Sequence, residues 1–202
     1  MTLFKKLSIL IFSILTVTST GSCQNKNDKT NTQTVDSNIQ KLRLSRQLFW
    51  DSLPQPTGYI NDYENLYSAS EEATLDSIIA HFERITTKQI VIITIDTSMT
   101  ASDSLDDLTL RIAKKWGVGQ KDKDNGIAIG ISRGYRKMRI QNGYGIEKIL
   151  TDRETKEIID NFFVTGFKNG NYFEGTLNGL NALIKKLRTA PANSKDQPKL
   201  KF

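Results

Sequence analysis

The chain has 202 residues, a formal net charge of +6, one cysteine and one histidine. A single cysteine excludes an intrachain disulfide. Lys5 and Lys6 stand in the leader, and Lys185, Lys186, Arg188, Lys195, Lys199 and Lys201 lie towards the C-terminal end. The part between them is close to neutral, which argues against a nucleic-acid partner, since that needs basic residues concentrated on one face.

Residues 1–22 read as a secretory signal. Lys5 and Lys6 precede an apolar run from Leu7 to Val17, and small residues follow up to Cys23. The apolar run is shorter than the roughly 20 residues that span a bilayer. Gly21 and Ser22 immediately before Cys23 resemble a bacterial lipobox, although Thr20 replaces the usual Leu. The resemblance implies cleavage before Cys23 and lipidation of its sulfur. Residues 23–53 would then be a lipidated N-terminus and flexible tether. Residues 24–40 are almost devoid of apolar side chains and bury too little to offset their ordering entropy. Residues 41–53 contain Leu42, Leu44, Leu48, Phe49 and Trp50, and suit either a short helix packed on the domain or an extended approach. Pro54 and Pro56 end that segment.

The domain is expected over residues 54–188. Asn61 and Asp62 read as a turn. Ser68 and Glu71 form a capping box that opens a helix running to about Thr86, with Leu75, Ile78, Ile79 and Phe82 on one face. Residues 89–95 are apolar and mostly β-branched, as a strand covered on both faces requires. A second helix over 102–116 has an acidic first turn and a stripe of Leu105, Leu108, Ile112 and Trp116. A glycine-rich loop ends in Asp124, Asn125 and Gly126 and enters a buried strand to Ile131. After a turn at 133–136, residues 137–141 alternate as an antiparallel partner. Thr151 and Glu154 form another capping box, whose helix carries Ile158, Ile159, Phe162 and Phe163 and breaks at 166–171. The last helix runs from about Tyr172 to Arg188. Residues 189–202 read as a disordered tail.

The order is helix, strand, helix, strand, strand, helix, helix. The strand–helix–strand unit implies a right-handed crossover and parallel pairing, and the tight turn implies an antiparallel hairpin. The expected fold is α/β: a three-layer α/β/α sandwich, Rossmann-like, with a small mixed sheet. Such a hairpin returns residues 142–147 to the edge where Asp124 begins its strand, and Asp152 at the next helix start can reach the same edge. Carboxylates and carbonyls in glycine-rich turns suit a hard cation such as calcium. By this topology Asp62 lies a helix length away. The plainer reading is that Asp124 and Asn125 only shape the turn and Asp152 only charges a helix start. His81 sits mid-helix beside Phe82 and reads as a surface residue.

Gly-Tyr-Ile-Asn-Asp at 58–62, Trp-Gly-Val-Gly at 116–119, Asp-Asn-Gly at 124–126, Asn-Gly-Tyr-Gly-Ile-Glu at 142–147 and Thr-Asp at 151–152 together resemble the TPM domain. That family includes thylakoid lumen proteins linked to photosystem II repair and many bacterial envelope proteins. The resemblance implies a Rossmann-like α/β/α fold, with calcium binding in some members and acid phosphatase activity in others. Carried over by motif, it implies metal-ligand roles for Asp124, Glu147 and Asp62; Ile146 stands where the family has Leu. Three functions follow as expectations. The first is a lipid-anchored envelope module that binds a divalent cation, calcium by preference, through Asp124, Glu147, Asp152 and Asp62. It would meet the membrane through its anchor and an envelope or membrane protein as partner, on the periplasmic side or at the outer membrane. The second is a metal-dependent acid phosphatase, although no phosphate loop or nucleophile motif is visible. The third is an interaction domain without a site.

Overall fold

In the computed structural model, residues 26–189 are described. The expected signal segment, Cys23 as the expected lipidation site, and nearly all of the expected tail lie outside them. The chain divides into two compact units, the first ending at Ile39 and the second beginning at Gln40. Helix α1 (Lys26–Asp51) runs through this boundary. The polar segment expected as a flexible tether is thus helical from Lys26 onward. Polarity removed its claim to a buried core, but no glycine or proline stands in it to break a helix.

The second unit is built on one four-stranded sheet in the order β1 (Ile60–Asp62), β2 (Gln89–Thr94), β3 (Gly126–Ser132), β4 (Lys137–Asn142). The first three strands are parallel and β4 is antiparallel to β3. β1 is a correction, since Asn61 and Asp62 read as a turn. Three residues are too few to show a period. They become a strand because Ile60 and Asp62 find register opposite Ile92 and Thr94.

Alternation sends the strand residues to two cores. Ile90, Ile92, Ile127, Ile129, Ile131 and Ile140 face α2 (Ala69–Thr86), α5 (Asp152–Ile158) and α7 (Tyr172–Thr189). Val91, Ile93 and Ala128 face α3 (Leu105–Trp116), where Phe49, Trp50 and Leu53 also pack. Helices therefore cover both faces, as an α/β sandwich requires. Consecutive strands step across the sheet in one direction, yet α2 and α3 lie on opposite faces. The two crossovers consequently have opposite hands, and one departs from the right-handed rule.

Both capping boxes form. Ser68 Oγ accepts from Glu71 N while Glu71 Oε2 accepts from Ser68 N, and Thr151 and Glu154 repeat the arrangement. A short helix, α4 (Tyr144–Glu147), follows β4. After α5 comes a π-helical turn over Ile159–Phe163, then α6 (Val164–Lys168). The expected break therefore falls after Lys168, and helix passes through Gly166. Of the four apolar residues read on this helix, Ile158 and Phe163 are buried, whereas Phe162, in the π-turn, is 44% exposed.

Candidate functional site

The sheet has two edges, and the candidate ligands divide between them. Asp124, Asn142 and the start of α4 lie at the amino-terminal ends of the parallel strands. Asp62 closes β1 opposite Thr94, at the carboxyl-terminal ends. The fold thus brings Asp124 and the segment of Glu147 together and leaves Asp62 at the far edge, as topology alone expects and against what the family motif implies.

At the amino-terminal edge the glycine motifs interlock. Gly143 N donates to Gly126 O at 2.9 Å, and Gly145 N donates to Asp124 O at 3.0 Å. A Cβ on Gly143 would stand 2.2 Å from Asp124 O, one on Gly145 2.0 Å from Lys123 O, and one on Gly126 2.0 Å from Val118 O. Only backbone fits at these three contacts. Asn125 is buried at their centre. Its Oδ1 accepts from Gln120 N at 2.7 Å, its Nδ2 donates to Thr87 O at 2.8 Å, and its carbonyl accepts from Gln89 N. Gln89 in turn accepts from Gly119 N through Oε1. Asn125 thus ties its own turn to the 87–89 and 119–120 segments.

Asp124 sits on top of this knot with φ +47, a left-handed conformation that Asp tolerates better than most side chains. Asp124, Glu147 and Asp152 are all exposed. Glu147 N donates to Gly143 O, which ties it to the same turn. Asn142 Nδ2 donates to Thr155 Oγ1 at 2.9 Å, and Thr155 lies one helical turn after Asp152, so the start of α5 borders the end of β4. Asn142 Oδ1 is buried and accepts no hydrogen bond from any described residue. Among the described residues no three side chains of His, Cys, Asp or Glu stand together as a metal-holding group. A cation here would take at most two carboxylates, with amide and carbonyl oxygens completing its protein ligands.

The carboxyl-terminal edge is also acidic but differently arranged. Asp62 Oδ1 accepts from Thr94 Oγ1 at 2.6 Å and Oδ2 accepts from Tyr67 N at 2.9 Å. Thr94 Oγ1 accepts in turn from Glu64 N. Glu64 is buried, and its two carboxylate oxygens accept from Arg133 N at 2.7 Å and Gly134 N at 3.1 Å. Burial holds the Glu64 carboxyl above the usual range, despite those two donors. Asp96 moves the other way, lowered chiefly by its hydrogen bonds with Ser98. Sequence reasoning missed Glu64. The available sign was an acid among apolar and aromatic neighbours (Tyr63, Leu66, Tyr67), a setting that tends towards burial. His81 is exposed and its Nδ1 pairs with Arg84 at 2.9 Å, as expected of a surface residue.

A model of the TPM domain matches residues 60–186. The chain belongs to the TPM-domain family. This TPM domain is also similar to the solution structure of the N-terminal domain of a protein from P. gingivalis, with 28% identity and a TM-score of 0.59, covering 65% of this chain and 82% of that one. A second solution structure, the BA42 protein from the psychrophilic bacterium Bizionia argentinensis, is 20% identical with a TM-score of 0.55, covering 68% and 93% of the two chains. The latter likeness is one of fold. No curated protein matches the chain. Among the described residues of the TPM-domain chain no helix is long and apolar enough to cross a membrane.

Proposed function

We propose that this TPM domain binds a divalent cation, calcium by its donor chemistry, at the amino-terminal edge of the sheet. In this reading it does so at the membrane of the cell envelope, held there by a lipid on Cys23 and presenting the site to a protein partner. One observation carries the cation reading: Asn142 Oδ1 is a buried acceptor with no donor, at the edge shared with Asp124 and the Glu147 turn. A buried oxygen without a partner is costly, and a cation or water would satisfy it. Hard cations take amide and carboxylate oxygens together, and calcium accepts irregular sets of six to eight. Asp124 and Glu147 would supply charge, Asn142 an amide oxygen, and the remaining positions would be filled by water or by oxygens of the partner. The envelope location rests on the charged, apolar and small-residue order of residues 1–22.

Calorimetric titration of calcium into the full chain tests this. The expected result is saturable heat, with affinity reduced at least about tenfold in Asp124→Asn and unchanged in Asp62→Asn, a difference of roughly 1.4 kcal/mol. Absence of heat together with an unchanged melting temperature would remove the site. Release of phosphate from a chromogenic ester, lost in Asp124→Ala, would turn the binding module into an enzyme.

A further inference from the structure

A cavity among the described residues opens between helices, with Glu154 from the first turn of α5 in its wall. It is a groove of about 990 Å³ between α7 on one side and α5, the π-turn and α6 on the other. That size lies at the upper end of small-ligand sites. Its floor is set by glycines. A Cβ on Gly179 would stand 2.1 Å from the Phe163 ring, and one on Gly166 would stand 2.5 Å from Gly175 Cα. The two helical segments therefore approach to backbone contact, and the groove above them is preformed.

Three features define what it would hold. The first is a polar row that includes three amides. Asn171, Glu174, Asn178, Asn181 and Lys185 recur at alternating three- and four-residue steps, so they lie on one face along α7. Asn161 faces them from the other wall. Asn161, Asn178 and Asn181 are exposed, and no hydrogen bond from their side-chain amides to the protein is found among the described residues. The second is Phe162, which lines the groove at 44% exposure. A regular α-helix would have turned Phe162 inward, four residues after buried Ile158. The π-turn inserts one residue, buries Phe163 instead and releases Phe162 to the groove. Such single π-turns occur often at functional sites. The third is mixed charge of small net value. Glu154 is paired with Lys186 at 2.7 Å, Glu157 with Arg153 at 2.7 Å, and Glu174 accepts from Asn171 Nδ2 at 2.8 Å. Two of these acids are paired with cations, Glu174 keeps its charge against a neutral amide, and Lys185 and Lys186 line the same groove, so both signs are present and neither dominates.

We infer that this groove binds a neutral polyhydroxylated ligand, an oligosaccharide segment. An amide side chain offers a donor and an acceptor side by side, as adjacent hydroxyl groups require. The exposed ring of Phe162 supplies a flat apolar surface for the C–H face of a sugar ring. The groove lining does not include Asp124, Asn142 or Glu147, and the test does not involve calcium.

The probes are chitotetraose, cellotetraose and maltotetraose, titrated into the isotopically labelled full chain and followed by amide chemical shifts. At least one should move the signals of Asn161, Phe162, Asn178 and Asn181, with saturation below about 10 mM. Phe162→Ala and the double variant Asn178→Ala, Asn181→Ala should each weaken binding at least about tenfold. These side chains are exposed, so unchanged spectra elsewhere would show that the fold persists. No shift with any of the three sugars, shifts indifferent to the variants, or stronger binding of a neutral Ser/Thr/Ala heptapeptide would overturn the assignment.

Discussion

The two edges of one sheet carry similar acidic side chains and put them to different uses. At the carboxyl-terminal edge Asp62 and Glu64 are saturated by Thr94, Tyr67, Arg133 and Gly134. At the amino-terminal edge Asp124 and Glu147 stand in solvent on a turn that only backbone can fill. In open α/β sheets ligands usually bind outside the carboxyl ends of the strands. Here that edge spends its oxygens on internal hydrogen bonds, while the free carboxylates lie at the opposite one. An acid's presence at a sheet edge therefore says less than whether its oxygens already have donors.

The sharpest way to break this contrast is to add one carbon to the knot. Gly126→Ala places a Cβ against the Val118 carbonyl and leaves neither backbone room to move. It should cost more than about 3 kcal/mol of stability, measured by urea unfolding, since overpacking against backbone has no rotamer to escape into. An unfolding midpoint within error of the wild type would mean that the interlocked glycines do not hold the edge.

Next in size is Glu64→Ala, which leaves two main-chain donors at Arg133 and Gly134 without their acceptor. A loss of about 2–3 kcal/mol is expected by thermal unfolding. A near-neutral result would show that water replaces the carboxylate, and that this edge is as open as the other.

Acid titration sharpens the comparison through sign. Glu154, in the first turn of α5, has its carboxyl held down to about 2, chiefly by the Lys186 ammonium and then by Thr151. A lowered folded value contributes stability that is complete above the ordinary 4.5 and is lost as pH falls through about 2. Buried Glu64 has a raised value, so its contribution is complete below 4.5 and is lost as pH rises through that raised value. Glu154→Gln should therefore flatten the acid limb of the stability profile, and Glu64→Gln should flatten the decline on the neutral side. Both effects are modest, and Glu154 is screened by solvent. The smallest effect is expected of Asp124→Asn without calcium. Asn keeps the tolerance for positive φ, so stability should stay within about 0.5 kcal/mol, as for other surface changes. A larger loss would give Asp124 a structural role.

Much of this fold was readable before the structure because its signals are local. The runs of Ile and Val in β2 and β3 have no exposed face to satisfy, and the capping residues Ser68 and Thr151 mark helix starts through bonds made within four residues. Three things were not readable, each because a distant partner decides it. β1 is a strand only by its register on β2. Opposite crossover hands follow from the faces that α2 and α3 cover, which strand–helix–strand order does not specify. The π-turn depends on Gly175 and Gly179, which open the space that Phe163 fills. At the site, the sequence correctly joined Asp124 to the 142–147 turn, because a hairpin dictates that return. The Asn125 knot and the unsatisfied Asn142 oxygen emerge only from packing.

The central claim is that a cation sits on the solvent-facing carboxylates of the amino-terminal edge, and not among the saturated ones of the other. Amide chemical-shift mapping of the full chain during calcium addition tests it most directly. The account predicts saturable shifts at Asp124, Asn142, Gly145 and Glu147, with Asp62, Glu64 and Gly134 unmoved. Shifts confined to those last three, or none up to about 10 mM calcium, would contradict it.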